Sequence, residues 1–252
     1  MKTVVICMVM LCLGLSASGG TIDPNTSDHK HLEYAKAFKY VYKISGIYQD
    51  DKNTSFYASS VAISPEWILT AAHVVYNAKS GLVYQEADSE KYTIKKFIRH
   101  PDFKPNNFGF YDIALCKLDK KLTLDFYPDL YTDSDESNKI CSISGFGDTG
   151  NFSRGVFISD GRKRAGSNKI EYIDRHLLMC TPSYSAQKTD LEFLIANGDS
   201  GGGLFIGNKL AGINSCVNAA DKKTDSSYRD ESGHTRISVF IDWIKQTIKQ
   251  ER

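Results

Sequence analysis

Residues Ala196-Asn197-Gly198-Asp199-Ser200-Gly201-Gly202-Gly203-Leu204-Phe205 set one serine among four glycines, beside a carboxylate and ahead of an apolar pair. Glycines cluster where backbone must take positive φ or approach another group closely, so the run describes a tight loop entering a strand. On its own the stretch is an ordinary turn, since Gly, Asp and Ser serve turns for reasons unrelated to chemistry. Its meaning depends on what the rest of the chain can bring to Ser200.

Two other segments bear on that question. Trp67-Ile68-Leu69-Thr70-Ala71-Ala72-His73 is an apolar strand that ends on small residues and then a histidine, leaving room for an imidazole to turn back over the chain. Tyr111-Asp112-Ile113-Ala114-Leu115 sets an aspartate directly before another apolar strand. Alone, His73 is a surface or core histidine and Asp112 a strand-start turn residue. Together they supply what acyl transfer by a serine needs: a base to take the hydroxyl proton, and an acid to hold that base in one tautomer. The chain order His, Asp, Ser matches only one of the three architectures that carry this triad in a characteristic order.

Short candidate strands recur along the chain: Lys39–Ile44, Ser60–Ile63, Tyr92–Ile94, Ile113–Cys116, Ile140–Ile143 and Leu210–Ile213, with Gly, Asp and Asn between them. That pattern predicts an all-β barrel or sandwich. The exception is the C-terminus, where Ile237, Phe240, Ile241, Ile244 and Ile248 recur at helical spacing and predict one amphipathic helix over about 237–250.

The opening MKTVVICMVMLCLGLSASGG has a lysine, an apolar run from Val4 to Leu15 and then small residues, the three parts of a secretory signal peptide over 1–20 with cleavage near 17–20. The apolar run is shorter than the roughly 18–20 residues that span a bilayer, so no membrane span is expected. About 232 residues then remain, enough for one large all-β domain or two smaller ones. The formal net charge of +1 falls to zero with Lys2, and acidic and basic residues are interspersed, so no nucleic-acid or polybasic membrane surface is expected. Cys7 and Cys12 leave with the leader. Cys116, Cys141, Cys180 and Cys216 stay in an oxidising setting, with three pairings open to them. Asn25, Asn53 and Asn151 head sequons for N-glycosylation.

On WILTAAH, YDIAL and GDSGG the chain closely resembles the chymotrypsin/trypsin-like serine proteases. Further likeness lies in Arg99-His100-Pro101-Asp102-Phe103, in Ser144-Gly145-Phe146-Gly147 and in the tail Ile241–Ile248, so that it spans about Tyr40 to Ile248. The resemblance implies two packed six-stranded antiparallel β-barrels, over about 39–130 and 131–235, within a protease domain of 39–252, and it leaves 21–38 as an N-terminal extension or pro-segment. It implies a secreted, extracellular serine endopeptidase with Ser200 as nucleophile, His73 as general base and acid, Asp112 orienting His73, and the backbone N–H groups of Gly198 and Ser200 as oxyanion hole. No cofactor or metal is implied; the partners are protein or peptide substrates and protein protease inhibitors, and a monomer is expected.

Several positions depart from that family. Its members are cut before an Ile-Val-Gly-Gly-like segment, freeing an α-amino group that pairs with the buried carboxylate beside the nucleophile, here Asp199; the stretch TIDPNTSDHKHLEYAKAFKY holds no such segment. A cleavage unlike the usual zymogen cut is therefore expected. At the base of the substrate pocket Leu194 stands where trypsin-like members carry aspartate, and Ser215 and Val217 line its wall, which predicts small or medium apolar residues before the scissile bond. The family's cystine beside the histidine is replaced by Ala58 and Val74, Cys141 matches a family cysteine whose usual partner's position is held by Ile206, and Cys116 and Cys216 stand where relatives carry other residues. Gly203 replaces a usual proline. Tyr131–Asn138 lacks the EF-hand glycine and glutamate and is read as a solvated interbarrel loop. The missing activation segment and altered pocket leave a second reading: a weak or inactive homologue acting as a binding protein.

Overall fold

The computed structural model describes residues 20–86, 89–106, 109–183, 188–219 and 221–251. The leader-like residues up to Gly19, with Cys7 and Cys12, lie outside them. In chain order the elements are β1 (Thr21–Ile22), α1 (Asp28–Ala35), β2 (Val41–Tyr48), β3 (Ser55–Ser64), β4 (Trp67–Thr70), β5 (Ala78–Tyr84), β6 (Tyr92–Arg99), β7 (Ala114–Leu118), β8 (Asp129–Leu130), β9 (Ile140–Gly145), β10 (Thr149–Asn151), β11 (Gly155–Ile158), β12 (Arg164–Asp174), β13 (Leu177–Cys180), β14 (Phe193–Leu194), β15 (Gly203–Ile206), β16 (Lys209–Ala219), β17 (Asp230–Arg236) and α2 (Ile237–Gln250).

Six strands close the first barrel in the order β2-β3-β4-β7-β6-β5. Its β6 alternates buried Tyr92 and Ile94 with exposed Thr93 and Lys95, the two-residue period of a strand with one face on a core. The WILT run of β4 is buried along its whole length, as its apolar composition requires. The second barrel runs β15-β9-β12-β13-β17-β16 and closes by pairing β15 with β16; β8 adds to β16 in parallel. The two expected six-stranded barrels are therefore present. Closure removes the unpaired sheet edges that would otherwise invite association.

The C-terminal helix α2 buries Ile237, Phe240 and Ile244 in the same apolar cluster as Phe205, Leu210 and Ile213. Each such side chain withdrawn from water contributes about 1.5–3 kcal/mol. Glu136, read from the sequence as part of a solvated loop, is instead fully buried: Arg236 donates to both its carboxylate oxygens at 2.8 and 2.7 Å, and Ser238 Oγ adds a third bond at 2.7 Å. A buried carboxylate is tolerable only with such a partner, and this one ties the interbarrel segment to the start of α2.

The four described cysteines, Cys116, Cys141, Cys180 and Cys216, are thiols, all buried. Cys141 Sγ and Cys180 Sγ lie 3.9 Å apart in the second barrel, Cys116 is in the first-barrel core, and Cys216 packs with Leu177 and Met179. Ala58 and Val74, at the positions of the absent cystine, fill the first-barrel core. Asn25 and Asn53 are exposed, and Asn151 is half-buried at the β10–β11 connection.

Candidate active site

His73 stands three residues past β4, and Asp112 two ahead of β7; β4 and β7 are paired neighbours, with Thr70 opposite Ala114, so the two motifs lie side by side. The Asp112 carboxylate grips the histidine twice, accepting the His73 backbone N–H on Oδ1 at 2.9 Å and facing Nδ1 with Oδ2 at 2.7 Å. Ser215 Oγ donates to Oδ2 at 2.6 Å, and Thr235 Oγ1 donates to the Asp112 carbonyl at 3.0 Å. Burial pushes the carboxyl up, but the His73 charge and the bonds from His73 and Ser215 prevail and hold it below the usual carboxylate range. An ionised Asp112 only accepts. Nδ1 must then be the donor, which leaves Nε2 as the basic nitrogen. The His73 side chain is 21% exposed and Asp112 wholly covered, so the imidazole meets solvent while the carboxylate does not.

Tyr111, immediately before Asp112, has φ +53°. A non-glycine residue in that region costs about 1–3 kcal/mol and is held by its surroundings. Those surroundings are rings: His100 stacks on Tyr111 at 5.1 Å, and His176 and Phe240 meet it edge-on at 4.9 and 5.9 Å.

The serine lies between β14 and β15, in a turn clamped from both barrels. Asn214 in β16 gives its backbone carbonyl to Gly201 N–H and its backbone N–H to Gly202 O, each at 2.8 Å, while Nδ2 donates to Ser144 O and Asp199 O, each at 3.2 Å. His234 in β17 is buried, pushed down to about 3 and therefore neutral, with Nδ1 2.8 Å from Asn214 Oδ1. From the first barrel, Ser59 in β3 donates its backbone N–H to Ser200 O at 2.8 Å and its hydroxyl to Gly198 O at 2.9 Å, and it accepts Phe146 N–H at 2.8 Å. Thr70 Oγ1 in turn donates to Ser59 O at 2.8 Å. Gly201 lies so close that a Cβ would come within 2.0 Å of Thr70 Oγ1. The serine turn is thereby docked onto the segment that leads to His73.

Gly198 has φ +89°, a conformation open to glycine and strained for other residues. Among the described residues no acceptor takes the N–H of Gly198 or of Ser200, whereas Asp199 N–H is bonded to Ala196 O at 3.0 Å. The two amides that the sequence assigns to an oxyanion hole are the unengaged ones.

Asp199 itself points away from this surface. It is fully buried and accepts N–H groups from Gly20 at 2.9 Å, Gly147 at 2.8 Å and Ala196 at 2.9 Å. Burial outweighs these bonds and pushes its carboxyl up to about 7.

The pocket residues separate. Leu194 is fully buried in β14 and pairs with Thr21 of β1; Val217 is half-buried against the second-barrel core. Ser215, read as pocket wall, turns its hydroxyl onto Asp112 instead. Ser59, Asn214, His234 and the strained Tyr111 went unnoticed in the sequence, where a polar residue within a strand carries no local mark.

The sequence profile of the trypsin family matches residues 37–244. The chain belongs to the trypsin family. This family member is 24% identical over 250 residues to rat tonin, with 82% of this chain and 90% of tonin aligned. It is 27% identical over 213 residues to human granzyme B, with 75% and 78% aligned. Among solved structures, HL collagenase superposes with a TM-score of 0.69 at 22% identity, covering 84% of this chain and 94% of that one; that likeness speaks for the fold. Among the described residues of this trypsin-family chain, no helix is long and apolar enough to cross a membrane.

Proposed function

We propose that the protein is a secreted serine endopeptidase that hydrolyses peptide bonds through an acyl-enzyme. The observation that carries this reading is the double grip of Asp112 on His73, which fixes the imidazole with Nε2 as its basic nitrogen. Ser200 Oγ adds to the scissile carbonyl carbon as His73 Nε2 takes its proton, and the carbonyl oxygen becomes an oxyanion facing the N–H groups of Gly198 and Ser200. Each well-placed donor there is worth about 2.7–4 kcal/mol. Collapse breaks the C–N bond, and His73 returns its proton to the leaving amine. Water then enters by the same route in reverse order, with His73 again as base, releasing the acid and restoring Ser200.

Substrates are proteins or peptides with a small or medium apolar residue before the scissile bond. What supports this is the resemblance, which puts Leu194 and Val217 at the pocket positions, where neither offers a carboxylate to a lysine or arginine. Protein protease inhibitors are the other partners, and the protein acts as a monomer. N-glycans at Asn25 and Asn53 suit their exposure.

Labelling with a fluorophosphonate probe, compared between the mature protein and Ser200→Ala, tests the chemistry. Labelling that depends on Ser200 is expected; its absence would leave the protein as a binding homologue. A peptide library that returned Arg or Lys preference would overturn the specificity.

A further inference from the structure

The first described residues are built into the fold. Strand β1 lies between β10 and β14, pairing Thr21 with Gly150 and with Leu194. Thr149 Oγ1 donates to Gly20 O, and Thr21 Oγ1 to Ser226 O, each at 2.6 Å. Ile22 joins the second-barrel core, and Asp23 is paired with Lys188. This segment was read from the sequence as an extension or pro-segment.

The path of β1 brings Gly20 to a buried position with its nitrogen 2.9 Å from Asp199 Oδ2. Only glycine suits that position: a Cβ on residue 20 would come within 2.1 Å of the Phe193 ring, itself fully buried. The partners of Asp199 among the described residues are three backbone N–H groups, none of them a cation. A buried carboxylate held by neutral donors alone is incomplete. The atom in place to complete it is the Gly20 nitrogen. The residues before it read Ala17-Ser18-Gly19, small at the first and third positions before the bond, as a leader-cleaving peptidase requires.

We infer that hydrolysis of the Gly19–Gly20 bond, the same cut that removes the leader, is the activating step, and that the protein needs no separate zymogen cleavage. Water adds across the amide under a leader-cleaving endopeptidase of the secretory route, leaving a carboxylate on Gly19 and an ammonium on Gly20. That ammonium replaces a neutral donor with a full positive charge at Asp199 Oδ2, without moving β1. The charge acts on the turn that carries the nucleophile, because Asp199 lies between Gly198 and Ser200. A cut anywhere in 21–38 would instead remove all or part of the segment that holds β1 between β10 and β14. The inference rests on the catalytic reading above only for its activity readout.

The test is made on protein secreted from the full-length chain. Its N-terminus is sequenced, its α-amino group is challenged with an acetylating N-hydroxysuccinimide ester in the folded state and in urea, and its rate of fluorophosphonate labelling is compared with a form carrying one serine ahead of Gly20. We expect a chain starting at Gly20, an α-amino group that reacts only in urea, and labelling of the extended form about 10²–10³-fold slower, the scale of losing one partner of a buried ion pair. A start elsewhere, an α-amino group that reacts in the folded protein, or equal labelling of the extended form overturns the inference. If neither form labels while the Gly20 amino group is protected, the insertion stands and the catalytic reading fails. Gly20→Ala gives a second reading, with slower labelling expected from the clash with Phe193; where it does not fold, the comparison with the extended form decides.

Discussion

Asp112 and Asp199 are the same residue type, and both are wholly buried, yet their carboxyls move in opposite directions. Asp112 sits at the end of the first barrel with an imidazole, a backbone N–H and a hydroxyl on its oxygens. Asp199 sits in the second barrel with three backbone N–H groups. Both accept three hydrogen bonds, so their number cannot explain the difference. What differs is the partner that can carry a full charge. Burial dominates at Asp199, where amide dipoles alone oppose it; at Asp112 the charge on His73 is the largest opposing influence, and it tips the balance. In the proposed reading Asp112 belongs to a finished site, whereas Asp199 has no cation among its described partners.

The largest effects lie on the finished side. Ser200→Ala should lower turnover by about 10⁴–10⁶-fold while leaving stability within about 0.5 kcal/mol; a loss below tenfold would put the nucleophile elsewhere. Asp112→Asn keeps the shape but can offer His73 Nδ1 an N–H in place of an acceptor, favouring the wrong tautomer. A fall of about 10⁴-fold in kcat is expected. A drop of only a few-fold would mean that Asp112 is a structural carboxylate, and the contrast with Asp199 would lose its functional meaning.

Both barrels and the three motifs were legible because His73, Asp112 and Ser200 each stand within a few residues of a strand end, inside a short segment whose composition is already constrained by the turn it makes. WILTAAH and YDIAL end on paired neighbours β4 and β7, and that adjacency is implicit in the fold they specify. The helix α2 was legible from its apolar period. Ser59 was not, because a serine in a buried strand looks like any other and its partners Gly198 and Ser200 lie about 140 residues away. Glu136 looked solvated since nothing near it in sequence announces Arg236. Gly20 was hidden for a different reason: the apolar dipeptide expected at an activating terminus is absent, and the space beside Phe193 admits no side chain there.

The unfinished side is broken or sharpened by pH. While the Gly20 nitrogen is an amide, Asp199 has a folded value of about 7 against an ordinary 3.8. A raised carboxyl contributes stability that is present below 3.8 and lost as pH climbs through about 7. At about 1.4 kcal/mol per pH unit, a form extended beyond Gly20 should lose about 4 kcal/mol between pH 4 and 7.5, and a form starting at the Gly20 ammonium should not. Urea unfolding of both forms across this range measures it. Asp112 has the opposite sign: its lowered carboxyl contributes above 3.8, and that stability is lost as pH falls below this value, equally in both forms. Parallel pH curves for the two forms would show that the Gly20 nitrogen makes no difference to Asp199.

The smallest expected effect tests whether the two carboxylates are connected at all. Ser59 is the first-barrel residue whose hydroxyl reaches the turn between them, bonding Gly198 O and receiving Phe146 N–H. Ser59→Ala leaves both backbone groups buried without that partner, a loss of about 1–3 kcal/mol. If this bond only supports packing, unfolding shifts and kcat does not. If it holds the oxyanion amides in register with His73, kcat falls about tenfold or more with little change in KM, because the amides of Gly198 and Ser200 bind charge that exists only in the transition state. A variant that lost stability with kcat intact would confine the contrast between Asp112 and Asp199 to electrostatics, with the two barrels contributing their groups independently.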